Sequence, residues 1–252
     1  VIRIMTYNVH GCVGRDRRLD HARIAAVIAE ENPDIVALQE LDVSRDRSGR
    51  AHQAQVIAAH LNMEFHFHPA FRIREEEYGD AVLARWPLRV RKAAGLPTVN
   101  ERLAFEPRGA LWVSAEVEGR QIQVINTHLG LSNNERKAQI AALMGGEWLQ
   151  HPECTAPSVL CGDFNAIPGS SVYRSAMKGM RDTQRMILGQ RARPTFPSRW
   201  PLLRLDYILV SSDLRCEAVR VINSRLACMA SDHLPLVADV EVQPEAEFKA
   251  AT

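Results

Sequence analysis

The chain reads as a single α/β domain, two packed and largely antiparallel sheets with helices outside. Two patterns predict this: helical spacing is confined to segments flanking the early and late strands, and hairpin-spaced strands fill the middle. A third observation sets the scale. With 252 residues and 46% hydrophobic content the chain can bury one large core, and no linker or low-complexity segment divides it. The expected domain is residues 1–243, followed by a patternless, frayed tail over 244–252.

In chain order, residues 2–9 alternate as a strand ending in Tyr7-Asn8-Val9-His10-Gly11. Residues 19–31 carry Ile24, Val27 and Ile28 at helical spacing, with Asp20 as the cap and Pro33 beyond the end. Residues 34–40 are a buried strand that ends in Glu40. A helix over 53–61 precedes an alternating Met63-Phe65-Phe67 strand. Strands follow at 79–84, 88–94, 110–117 and 121–127, the last two joined by a turn at Glu118-Gly119. A helix over 134–149 leads to the apolar run Val159-Leu160-Cys161-Gly162, closed by Asp163-Phe164-Asn165. An arginine-rich polar stretch spans 181–204, and three strands end the domain at 205–210, 217–222 and 236–242.

Charge is balanced, 31 Lys+Arg against 30 Asp+Glu, so no global basic field announces nucleic acid. Lysine is confined to Lys92, Lys137, Lys178 and Lys249, an arginine bias better ascribed to genomic base composition than to phosphate recognition. Five cysteines without CxxC spacing argue against a disulfide framework or structural zinc site, and for a reducing compartment. With no secretory signal at the start and no membrane-length apolar run, a cytoplasmic setting is expected, conditional on an untrimmed N-terminus.

Several apolar strands end in an uncompensated polar residue: Asn8, Glu40, His128, Asp163 with Asn165, and Asp206. A loop adds Ser231-Asp232-His233. Buried carboxylates need partners, and a divalent cation is the simplest one. The ordered set Tyr7-Asn8-Val9-His10-Gly11, Leu38-Gln39-Glu40, Asn126-Thr127-His128-Leu129, Gly162-Asp163-Phe164-Asn165, Leu205-Asp206-Tyr207 and Ser231-Asp232-His233-Leu234-Pro235 resembles the endonuclease/exonuclease/phosphatase, or DNase I-like, superfamily. The resemblance runs from residue 2 to residue 242 and implies a four-layer α/β/β/α sandwich.

It also implies roles. Glu40 is the expected principal metal ligand, with Asn8 beside it and Asp232 completing the metal side; oxygen ligands suit Mg2+, with Mn2+ as a substitute. Asp163 and Asn165 orient the attacking water and bind the phosphoryl group. Asp206 and His233 form a carboxylate–imidazole pair, and His128 contacts phosphate or protonates the leaving oxygen. Either His233 or Asp163 serves as general base. Asp80 stands where relatives orient the histidine equivalent to His128, which suggests a second Asp–His pair. Arg108 stands where relatives carry a phosphate-contacting arginine.

Other histidines take blander readings: His66 and His68 half-buried on a strand, His21, His52 and His60 solvated on helices. Cys161 is a core residue. No phosphate-cradling glycine loop with Lys and Ser/Thr, HExxH or GxSxG occurs. The chain lacks the asparagine-glycine-arginine signature of the abasic-site repair branch and the disulfides of the secreted nucleases. Thr195-Phe196-Pro197-Ser198-Arg199-Trp200-Pro201 resembles intracellular bacterial members known only as metal-dependent hydrolases. Trp200, Arg199 and Arg204 are read either as a cleft wall or as a loop packed by a buried Trp. The expected activity is phosphodiester hydrolysis by in-line attack of water on a small, lipid-derived or nucleic-acid substrate, with no obligate protein partner. A nuclease would want a stacking aromatic such as Tyr78 or Trp200. A catalytically silent phosphate-binding module is the third reading.

Overall fold

Alternation and capping build the elements that carry the site, in a computed structural model that describes residues 1–99, 106–155 and 157–243. The expected tail at 244–252 lies outside the described residues. Strand β1 (Ile2–Asn8) leads to helix α1 (His21–Glu31), whose first turn is capped by Asp20 accepting from the Arg23 N–H at 2.9 Å. Asn32, left-handed at φ 49°, ends that helix ahead of Pro33. Strand β2 (Ile35–Val43) and helix α2 (Gln53–Leu61) follow. His52 is more than a solvated helix residue: its ring caps α2 and packs edge-on against Phe65 and Phe67. Strands β3 (Glu64–Ile73) and β4 (Glu76–Ala84) form a hairpin longer than the sequence pattern suggested, because their polar outer ends lack the apolar alternation that marks a strand.

Strands β5 (Leu88–Gly95), β6 (Gly109–Val117) and β7 (Arg120–His128) make the central meander, and Glu118 and Gly119 both take positive φ in the tight turn between β6 and β7. Helix α3 (Asn133–Leu143) stops ahead of Gly145 and Gly146 instead of running to Leu149. Strand β8 (Ser158–Asp163) is followed by α4 (Ser171–Ala176), β9 (Arg181–Asp182) and α5 (Thr183–Met186), short elements without a readable period. Strands β10 (Asp206–Val210) and β11 (Leu214–Val221), helix α6 (Arg225–Ala230) and strand β12 (Leu236–Val242) complete the chain.

The strands form two six-stranded sheets, ordered β11-β12-β1-β2-β4-β3 and β5-β6-β7-β8-β10-β9. Each sheet is antiparallel except at one central parallel pair, β1 with β2 and β7 with β8. The main core lies between the sheets. Along β6, Leu111, Val113 and Ala115 face it, while Ala110 and Trp112 face the outer layer with Ile140 and Leu143 of α3. Helices α1, α2 and α6 cover the first sheet. All five cysteines are free, and Cys161 is fully buried. No helix among the described residues is long and apolar enough to cross a membrane.

Candidate active site

The two parallel pairs bring three strand ends and one bulge to one place, since β2 runs on to Val43 instead of ending at Glu40 as the sequence pattern suggested. β1 and β2 run the same way and carry Asn8 and Glu40; β7 and β8 do the same with His128 and Asp163. Antiparallel pairing sets Asp206, the first residue of β10, directly opposite Asp163. Two local irregularities aim the side chains. The β2–β4 register slips between Leu38 and Leu41, and Glu40 sits in that bulge at φ 64°. Gly162 adopts φ 135° where a Cβ would lie 1.8 Å from the Thr127 carbonyl oxygen, so only glycine lets β8 approach β7 this closely.

The floor of the site is buried and centred on Asp163. Its Oδ2 accepts from Asn8 Nδ2 at 3.1 Å and lies 3.5 Å from His128 Nε2 and 3.7 Å from His233 Nε2. Its Oδ1 accepts the Asn165 N–H at 2.8 Å. Asn165, left-handed at φ 47°, turns its amide back to the Leu129 carbonyl and to His128 Nε2 at 3.0 Å. The expected Asp206–His233 pair forms, Nδ1 to Oδ2 at 2.9 Å, so Nε2 is the ring nitrogen turned to Asp163. Phe196 covers His233 with ring centroids 4.8 Å apart, and Ser231 Oγ, which donates to the Asn8 carbonyl, accepts the His233 N–H.

The mouth is more open: the side chains of Glu40, Asp232 and His10 are 22%, 38% and 50% exposed. Asn8, expected as a metal ligand, is buried and differently engaged. Its Oδ1 accepts the His10 N–H at 3.1 Å, and its amide donates to Glu40 Oε1 as well as Asp163, tying the mouth to the floor. His10 lies with Nδ1 3.5 Å from Glu40 Oε2 and 3.7 Å from Asp232 Oδ1. Its presence in the first motif was the available signal, but spacing alone gave it no partner.

A divalent cation fits this donor set, because Glu40 and Asp232 offer hard carboxylate oxygens facing solvent. Donor atoms of Asp163, Asp206 and His233 also lie within 4.8 Å of one another, a buried group capable of holding a metal. There, His233 Nδ1 and Asp206 Oδ2 are bonded to each other, while Asp206 Oδ1 is buried without a hydrogen-bond partner.

Electrostatics divides the two histidines. Burial and the adjacent Arg108 charge push His128 down to about 3, so its ring is neutral near pH 7. Burial also opposes charge on His233, but the Asp206, Asp163 and Asp232 carboxylates outweigh it and raise its pKa. Burial and neighbouring Asp206 raise the pKa of Asp163, against the pull of His233 and the Asn165 N–H. For Glu40 burial is outweighed by the His10 and Asn8 hydrogen bonds and the nearby His128, which leave its carboxyl well below the usual range.

Several expected placements differ. The polar partner on His128 Nδ1 is Arg108, whose Nη1 lies 3.1 Å away, rather than Asp80; Asp80 instead accepts the backbone N–H of the bulged Glu40. Arg108, 5% exposed, pairs Nη2 with Glu106 at 2.9 Å, and its Nε is buried without a hydrogen-bond partner. Tyr78 is also 5% exposed, packed on Phe71 beneath Arg45 and Arg47, and offers no face for base stacking. Trp200 is 70% exposed, which rules out the buried-Trp reading of its loop. Its loop is anchored by Ser198, whose N–H donates to the Asp232 carbonyl and whose Oγ donates to the Ser231 carbonyl. Arg199 lies over the Trp200 ring at 6.0 Å, whereas Arg204 is buried against Asp182 and Tyr207, away from any cleft wall.

Comparison with known proteins bears on the family and the fold. A sequence profile described as "Endonuclease/Exonuclease/phosphatase family" matches residues 5–233. The uncharacterized protein YbhP of Escherichia coli K12 is 27% identical over 251 residues, covering 95% of this chain and 96% of that protein. An endonuclease/exonuclease/phosphatase from Beutenbergia cavernae superposes with a TM-score of 0.76 at 25% identity, over 96% of this chain and 72% of that one. A mannosyl-6-phosphatase from Bacteroides thetaiotaomicron has the same fold, with a TM-score of 0.77 at 18% identity over 96% of this chain and all (100%) of that one.

Proposed function

The chain belongs to the endonuclease/exonuclease/phosphatase family, whose members are hydrolases of phosphoesters, and within it we propose a divalent-metal-dependent phosphodiesterase. The observation that carries this reading is the convergence of Asn8, His128 and His233 on one carboxylate oxygen of Asp163, beside the Glu40–Asp232 mouth. A water hydrogen-bonded to Asp163 gives up its proton to that carboxylate as it attacks phosphorus, while His233, its pKa raised by Asp206, faces the same carboxylate oxygen through Nε2. Neutral His128, whose Nε2 lies 3.5 Å from the same Asp163 oxygen and is met by the Asn165 amide, is the group assigned to a phosphoryl oxygen. Glu40 and Asp232 would contribute carboxylate oxygens to a divalent cation, Mg2+ or Mn2+, which would supply neutralisation of the charge that develops on the phosphoryl and leaving oxygens.

Two observations favour a small or amphiphilic diester over a nucleic acid. Arg45 and Arg47 at the end of β2 are paired with Asp42, which leaves no free basic track there. The open aromatic on the anchored loop is Trp200, accompanied by exposed Leu202, an apolar rim suited to a non-polar leaving group. The test is hydrolysis of bis-p-nitrophenyl phosphate, p-nitrophenyl phosphate and plasmid DNA, with Mg2+ or Mn2+, by wild type and Glu40→Ala. Diester cleavage that Glu40→Ala abolishes, with intact plasmid and slower monoester turnover, supports the proposal. Nicked plasmid with steep inhibition by salt identifies a nuclease instead.

A further inference from the structure

We propose that Arg108 is a positioning residue that fixes the tautomer of His128: it holds the ring proton on Nε2, so His128 donates to a phosphoryl oxygen and does not protonate the leaving group. This inference rests on the phosphodiesterase reading above. Arg108 Nη1 lies 3.1 Å from His128 Nδ1, with both residues buried. A guanidinium carries only N–H groups and stays charged, so it donates and never accepts. Nδ1 is therefore the acceptor, and the proton of the ring sits on Nε2. The contact is held by the backbone, because Ala110 pairs with Thr127 and Thr127 Oγ1 donates to the Gly109 carbonyl, which sets the entry to β6 beside the end of β7.

Nε2 has neighbours of both kinds: the acceptors Asp163 Oδ2 at 3.5 Å and Glu40 Oε1 at 4.0 Å, and the donor Asn165 Nδ2 at 3.0 Å. Both ring nitrogens thus face an N–H, and only one can accept. The Asn165 amide has another acceptor in the Leu129 carbonyl at 2.9 Å. Arg108 has none to spare, since its Nε is already buried without a partner and Nη2 is taken by Glu106. Releasing Nδ1 would orphan a second buried N–H of a charged group, so Arg108 wins. Nε2–H and the Asn165 amide are then two donors 3.0 Å apart, which one phosphoryl oxygen satisfies together. The other imidazole of the site has the opposite partner: Asp206 Oδ2 accepts from His233 Nδ1 at 2.9 Å and supports a ring protonated at both nitrogens. At His128 a second proton would set Nδ1–H against Nη1–H in a buried pocket. Water oxygen therefore bonds to phosphorus as its proton passes to Asp163, while the leaving oxygen departs as an anion and takes its proton from solvent. Leaving groups that are stable as anions are favoured over alkyl alcohols.

The test joins 15N NMR of the histidine rings at neutral pH to turnover, with Mg2+, of methyl aryl phosphodiesters whose leaving phenols differ in acidity. Wild type, His128→Ala, Arg108→Met and Arg108→Lys are compared; His128→Ala assigns the resonances, and thermal melts control for folding. The expected wild-type spectrum shows His128 unprotonated at Nδ1 and protonated at Nε2. Arg108→Met loses that preference and ~10–100-fold in kcat, and Arg108→Lys, which keeps a charged donor, recovers part of both. His128→Ala loses ~100-fold in kcat, by the same factor within ~3-fold for every leaving phenol. A proton on Nδ1 in wild type overturns the inference, so the wild-type spectrum and Arg108→Lys decide the matter if Arg108→Met melts early. An unchanged tautomer in folded Arg108→Met overturns the role of Arg108. A His128→Ala loss that grows as the leaving phenol becomes less acidic overturns the inference too, because that is the mark of a general acid. Turnover of no diester by a wild type whose Nδ1 is unprotonated leaves the Arg108–His128 assignment standing and overturns the phosphodiesterase reading alone.

Discussion

At the residue scale the account turns on which side chains orient others. Asp206 is fully buried and holds His233 by Nδ1, so its carboxylate fixes the tautomer that presents Nε2 to Asp163. Asp206→Asn keeps the shape but not the charge that supports a protonated ring. It is expected to lower kcat roughly 100- to 10,000-fold while KM changes little, as measured by steady-state hydrolysis of a chromogenic diester. A parallel rise in KM would mean that Asp206 acts in binding. Gly162 makes a different demand. Its positive φ and the Thr127 carbonyl at 1.8 Å from any added Cβ predict that Gly162→Ala loses roughly 2–4 kcal/mol in chemical denaturation. An unchanged midpoint would show that β7 and β8 separate without cost.

Among elements, the informative contrast is between strand ends and strand pairing. The ends that carry Asn8, His128 and Asp163 were legible, because an apolar run closed by a polar residue is visible in one dimension, whereas Asp206 opens β10 instead of closing a strand. Two things were not. The bulge that lifts Glu40 into a left-handed conformation has no residue signature, since glutamate is an ordinary strand-end residue. The Arg108–His128 contact depends on how β6 and β7 align, so sequence position suggested a phosphate contact where the guanidinium meets His128 and Glu106.

The same sheet holds a testable electrostatic tie. Asp239 on β12 binds Arg3 of β1 and Arg220 of β11. Burial opposes its charge, but these arginines prevail and hold it below 3.8. A carboxylate depressed by folding stabilises the native state above its unfolded pKa, and that contribution fades as pH falls through the lower folded value. Wild type is therefore expected to lose stability more steeply than Asp239→Asn below about pH 3.8 in acid-unfolding titrations. Parallel acid limbs would remove this contact from the ledger of acid stability.

For the whole molecule, the two sheets repeat one plan, a parallel pair with antiparallel flanks, and the site lies where the two pairs end together. That plan explains why widely spaced motifs form one centre. The fold class followed from periodicity and from the ordered motifs; the short elements α4, α5 and α6 did not, because each spans six residues or fewer, too few to show a period. Exposure of Trp200 was equally hidden, since an aromatic beside prolines reads as loop packing until the loop's anchors at Asp232 and Ser231 are seen.

The central claim is that Asp163 is the focus of phosphoester hydrolysis. It is tested most directly by metal-supplemented turnover of bis-p-nitrophenyl phosphate by wild type and Asp163→Asn, with circular dichroism confirming equal folding. The account predicts that wild type turns over and that Asp163→Asn loses at least ~100-fold in kcat. Equal turnover by a folded Asp163→Asn would contradict it.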